Sequence, residues 1–270
     1  MTDALLPVVE AGLEVFDLGR QLAVGMPQSP NHPQFWHTLP RRHGDASRAD
    51  GGSAANDLIT TGTHVGTHID ALSHVSQDGK MFGGADAEAA GRGGKYVDLG
   101  IHTVAPMIGR GLLLDVPRQL GIDSCEGGYE VTADDLQACA RTQNVELRKN
   151  DVVLIRTGWG AKFEQGAAYV GKETGTPGIG ESGASWLANH QVTAAGSDTI
   201  AFERVEPRGG HATLPAHRVL LVEHGIYIIE ALALEELARA RRYEFTFVLI
   251  PLNIYGATGS PVRPLAVFSA

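Results

Sequence analysis

Short aliphatic runs, each closed off by Gly, Pro or Asp, set the strongest limit on what this 270-residue chain can fold into. They fall at residues 97–99, 111–116, 151–156, 193–197, 225–229 and 245–252. Runs of this length, rich in Val, Ile and Leu without polar alternation, predict strands covered on both faces. Three segments predict helices. Thr132 offers a cap ahead of Asp134, Asp135 and Leu136; residues 181–190 carry Trp186 and Leu187 on one side; residues 232–242 begin with acids and end with arginines, which complements a helix dipole. Gly/Pro-rich connections lie at 83–94, 171–180 and 206–210. The mixture predicts an α/β (mixed) fold, read as one domain over residues 1–270. With 34 glycines, loops are expected to shape any site.

Charge and composition remove several function classes. Lys and Arg number 22 against 31 Asp and Glu, a net charge of −9 with no long single-sign run, so neither nucleic acid nor an anionic membrane is the expected partner. Residues 1–10 lack a basic stretch followed by an apolar core, and the apolar runs at 245–251 and 226–229 fall far short of the roughly 18 residues a membrane span needs. The expected location is the cytoplasm. Cys125 and Cys139 are too few for a disulfide scaffold and are read as reduced thiols.

The chemistry concentrates at His64, His68, Asp70 and His74, four residues within eleven, in a chain with only 11 histidines. Imidazoles and a carboxylate at such spacing suit zinc or another first-row divalent ion. Their separations are even, which puts all four on one face of an extended segment, and Gly62 and Gly66 disfavour a helix. A second group, His211, His217, His224 and Glu230, lies downstream. Glu230 closes an apolar strand and is costly to bury unless paired or ligating. Taken alone, this group fits equally well with surface histidines and a salt-bridged glutamate. Ser197, Asp198 and Thr199 follow a predicted strand and suit either a plain turn or hydrogen bonds to ligating histidines. Ser73 lacks the Gly-x-Ser-x-Gly surroundings of a serine nucleophile. Phe35, Trp36 and Trp159 are the aromatic candidates for substrate-pocket walls, although Trp159 could as readily pack in the core.

The pattern His64-x-Gly66-Thr67-His68-x-Asp70-x-x-x-His74 resembles the signature of the cyclase superfamily of metal-dependent hydrolases, which includes bacterial kynurenine formamidases and isatin hydrolases. Phe16-Asp17-Leu18, the segment 151–159, Gly196-Ser197-Asp198-Thr199, Pro251-Leu252-Asn253 and Gly259-Ser260-Pro261-Val262-Arg263 extend the resemblance over nearly the whole chain. The resemblance implies a compact swivelling β/β/α-type domain with a metal site between strands and loops, assembled as a homodimer or homotetramer. It implies that His64, His68 and Asp70 hold one divalent metal, Zn or Mn. Asp70 would bridge to a second ion on His217 and Glu230 where two are present, with His74 left as the catalytic acid/base. Formamidases usually carry proline where this chain has Leu72, and their spacing between the counterparts of His217 and Glu230 is one residue shorter. Both differences shift the expected small-molecule substrate towards a cyclic amide, imide or lactone. N-formylkynurenine hydrolysis and a non-catalytic metal- or ligand-binding role are the alternatives.

Overall fold

The computed structural model describes residues 6–269. The first half of the N-terminal stretch 1–10 therefore lies outside the described residues, and Leu6–Ala11 forms a short helix. The strands are β1 (Leu13–Asp17), β2 (Trp36–Arg41), β3 (Asn56–Thr60), β4 (His68–Asp70), β5 (Met107–Asp115), β6 (Glu130–Val131), β7 (Val152–Arg156), β8 (Gly178–Ile179), β9 (Ala194–Ser197), β10 (Tyr227–Glu230), β11 (Glu244–Leu249), β12 (Gly259–Pro261) and β13 (Leu265–Ser269). Nine of them form one mixed sheet in the order β1-β13-β11-β5-β7-β9-β10-β4-β12. Its centre, β5-β7-β9-β10, is parallel, and both flanks are antiparallel.

The unbroken aliphatic runs follow from this centre. Leu112, Leu114, Val153, Ile155, Ala195 and Ile228 enter one core beneath the helices Ala133–Gln143 and Glu181–Asn189. Leu113, Val152, Leu154, Ala194 and Ile229 enter a second core on the opposite face. With both faces covered, every position must be apolar and the period-two signal disappears. Thr132 caps its helix as expected, in a reciprocal box with Asp135.

Three expectations need correction. Residues 97–99 form a turn, too short and too closely flanked by Gly93, Gly94 and Gly100 to pair. The helix expected over 232–242 is reduced to Glu235–Arg239, because the amides of Leu232 and Ala233 bond to the carbonyls of Ser197 and Leu18. The strand expected to reach residue 252 stops at Leu249, ahead of Pro251, which has no N–H to give a ladder. No helix among the described residues is long and apolar enough to cross a membrane.

Candidate metal centre

Asp70 and His68 sit two residues apart on β4 and so share a face, while Ile69 between them points into the second core. β4 is clamped between β10 and β12. Glu230 pairs in register with His68, and Gly259 with Asp70. The in-register pairing puts the Glu230 carboxylate beside the His68 ring, with Oε2 3.3 Å from Nε2. His217, at the end of the short helix Pro215–His217, brings its Nε2 within 3.2 Å of Glu230 Oε1 and 3.7 Å of Asp70 Oδ2. The chain then continues into a π-helical turn, Arg218–Glu223, a geometry that recurs at functional sites.

Even spacing accounts for His68 and Asp70 only. His64 and His74 arrive through turns on either side of β4, so an extended segment over the whole motif needs correction as well. Gly66 takes a left-handed φ of 66° in the first turn, and its carbonyl accepts from His68 Nδ1 at 2.8 Å. His64 lies with Nδ1 2.7 Å from Asp70 Oδ1 and Nε2 2.9 Å from Thr258 Oγ1. A Cβ on Gly259 would come within 2.5 Å of the His64 ring, so glycine there leaves the imidazole its place. The His74 ring stacks on that of His64 with centroids 3.9 Å apart.

The residues converge in two groups that share Asp70: His64 with Asp70 and His74, and His68 with Asp70 and Glu230. Two further observations bear on whether a cation fits. Asp70 Oδ2 is buried without a hydrogen-bond partner, a position of several kcal/mol cost for a carboxylate unless a cation supplies the missing contact. The ring nitrogens facing the carboxylates are also fixed from behind. His68 Nδ1 donates to the Gly66 carbonyl, and His217 Nδ1 donates to Glu203 Oε2 at 2.8 Å, so both present Nε2 forwards. Glu203 is held in turn by the amides of Ala216 and His217. The donor set of imidazole and carboxylate suits Zn²⁺ or Mn²⁺.

Electrostatics point the same way. Burial works against a charge on His68, but Glu230 and Asp70 outweigh it and raise its pKa to about 9. His217 rises to about 10 against the same burial, through Glu203, Glu230 and Asp70. Burial would lift Glu230, yet bonds from His217 and His68 bring it down to about 2, and Asp70 likewise falls below the ordinary carboxylate range beside His74, His64 and His68. The carboxylates thus demand positive charge from whatever lies among them, a demand a divalent ion meets. His74 goes the other way. Burial first, then His64 and His217, lower it to about 4 in spite of Asp70.

The aromatic candidates separate. Trp159, 2% exposed, packs with Phe163, Tyr169, Ile200 and Ala201, and its indole N–H donates to the Tyr169 carbonyl. It is a core residue, which corrects its assignment as a pocket wall. Trp36 is 52% exposed on the two-stranded β2–β3 sheet, and Phe35 is 5% exposed at the end of the loop preceding it. That loop does reach the centre, but through a residue the sequence did not single out. The His32 ring lies 5.4 Å from that of His64 and 6.5 Å from that of His74. On the loop's flank, Gln28, Pro30, Asn31, Val170, Ile200 and His211 line a groove of about 520 Å³. Asp198 accepts from Thr157 and from the amides of Gly158 and Gly160, so it ties down the loop after β7 and does not support a ligand. His224 bonds to the Val219 carbonyl and, like His211, stands outside the convergent groups. His32 and Glu203 carried no sequence signal beyond residue type. Cys125 and Cys139 are free and buried.

The Cyclase family pattern matches residues 16–204. A crystal structure of a cyclase superposes with a TM-score of 0.85 at 30% identity, covering 98% of this chain and 93% of the other. Isatin hydrolase A from Ralstonia solanacearum shares the fold, with a TM-score of 0.75 at 23% identity over 99% and 98% of the two chains. The kynurenine formamidase of Bacillus cereus is 26% identical over 217 residues, 80% of this chain and 82% of that enzyme. Isatin hydrolase and kynurenine formamidase are both hydrolases by name, and this chain belongs to the Cyclase family.

Proposed function

We propose that the chain is a metal-dependent hydrolase that opens a C–N or C–O bond of a small cyclic amide, imide or lactone. The observation that carries this reading is the buried, partnerless Asp70 Oδ2, 3.7 Å from His217 Nε2, on a carboxylate whose other oxygen lies 3.6 Å from His68 Nε2. His64, His68 and Asp70 would hold one ion, with His217 and Glu230 completing a second position across Asp70. A divalent ion there supplies Lewis acidity for the scissile carbonyl and lowers the pKa of water from about 15.7 towards 7.

The chain's own groups do the rest. His74 sits at the mouth of the centre, stacked on His64, and its ring nitrogens make no hydrogen bond to another described residue. It is the group free to take a proton from the attacking water and return it to the leaving nitrogen or oxygen. Glu203 and the Gly66 carbonyl keep the His217 and His68 rings from turning. The groove along residues 28–31, walled by Pro30, Val170 and Ile200, suits a compact apolar body.

The test is hydrolysis of N-formylkynurenine, isatin, succinimide and γ-butyrolactone by metal-stripped protein refilled with Zn²⁺ or Mn²⁺. Turnover of a cyclic compound only after refilling is the expected result. Turnover of N-formylkynurenine alone would establish the second reading, arylformamidase, which the Bacillus cereus relative favours. Full metal occupancy with no turnover of any of the four overturns both, and chelation that unfolds the protein would mark the ion as structural.

A further inference from the structure

Five imidazoles crowd this centre, and their hydrogen bonds sort them. His64 is engaged at both nitrogens, by Asp70 and Thr258. His68 is engaged by Gly66 and Glu230, and His217 by Glu203 and Glu230. Only His32 and His74 have ring nitrogens with no partner among the described residues. If His74 moves the proton, as the hydrolase reading requires, His32 remains as an uncommitted donor facing the same space.

The loop that carries His32 is built to hold it there. Gln28 grips both ends of the turn, its Nε2 donating to the His32 carbonyl at 3.2 Å and its Oε1 accepting from the Phe35 amide at 3.2 Å. The His32 amide closes back on the Ser29 carbonyl, Pro30 and Pro33 stiffen the flanks, and buried Phe35 anchors the exit. Such bracing is unnecessary for a residue that only fills surface.

We propose that His32 is a substrate-binding residue whose ring N–H donates to a carbonyl oxygen of the bound amide, imide or lactone. The inference rests on the hydrolase reading and deepens it. It makes the recognised group a carbonyl, not the apolar body, and puts the recognition on the N-terminal loop.

The test compares His32→Phe, which keeps a ring and loses the donor, with His32→Gln, which keeps a donor. Co²⁺-loaded proteins are titrated with benzoate as a carboxylate probe, followed in the visible cobalt spectrum, and steady-state kinetics are run on the cyclic panel compound that turns over. Loss of one hydrogen bond of ordinary strength is expected to weaken benzoate and raise KM about tenfold in His32→Phe, with kcat little changed. His32→Gln should recover most of the loss, and Gln28→Ala should show a smaller change in the same direction. Spectra without benzoate should be identical in all four proteins. Wild-type benzoate affinity and KM in His32→Phe would overturn the proposal. So would an altered cobalt spectrum before benzoate is added, which would make His32 a ligand, or a wild-type spectrum indifferent to benzoate. Absence of wild-type turnover would count against the hydrolase reading alone, and the benzoate titration would still decide His32.

Discussion

At the floor of the centre, His68 and His217 each commit one ring nitrogen to a fixed acceptor behind them and point the other at a buried carboxylate. At the mouth, His32 and His74 commit neither. The floor's imidazoles are driven towards the charged form by Glu230 and Asp70, while burial and the neighbouring rings hold both mouth imidazoles below the ordinary histidine range. One side chain thus serves two purposes within a few ångströms. Where an acceptor fixes the tautomer the ring is suited to holding a cation, and where nothing fixes it the ring is free to exchange a proton or meet a ligand.

The contrast can be broken most decisively at His74. His74→Ala is expected to lower turnover about 100- to 10,000-fold with metal content by elemental analysis unchanged. Loss of the metal along with activity would move His74 to the floor. Trp159→Ala comes next in size. A large buried aromatic removed from its cluster is expected to cost about 3–5 kcal/mol in denaturant unfolding and to leave KM alone. A raised KM with little loss of stability would restore the indole to the pocket wall. Glu203→Gln should weaken metal binding about 10- to 100-fold in a chelator competition, because the carboxylate that orients His217 is gone. Unchanged affinity would mean that the support behind His217 does not matter. Smallest is Trp36→Ala, expected within about 0.5 kcal/mol of wild type in stability and unchanged in KM, since half of the side chain stands in solvent.

Where burial is two-sided the fold was legible. The runs around β5, β7, β9 and β10 read as strands because the two cores leave no position for a polar residue. β1 was not, because Leu13 and Val15 are exposed on the flank of the sheet and no apolar run marks it. β2 and β3, exposed at every position, left no pattern to find. At the site, the clustering of His64, His68, Asp70 and His74 was visible because sequence proximity and spatial proximity coincide there. The downstream partners His217 and Glu230 were ambiguous until the resemblance supplied roles, since only the β4–β10 register brings Glu230 opposite His68. Glu203 and His32 were silent. One acts through backbone amides and a ring behind the centre, and the other sits alone between prolines, so neither has a spacing to recognise.

The clamping of three-residue β4 between β10 and β12 also bears on the order in which the molecule can be built and lost. Its partners come from chain segments far downstream, so closing the ladder requires long loops to be drawn in first, which places it late in folding. An ion that recognises only the finished floor cannot then guide the chain towards it. Bound there, it would act afterwards as a latch, lengthening the lifetime of the native state by slowing its escape while leaving the rate of arrival almost untouched.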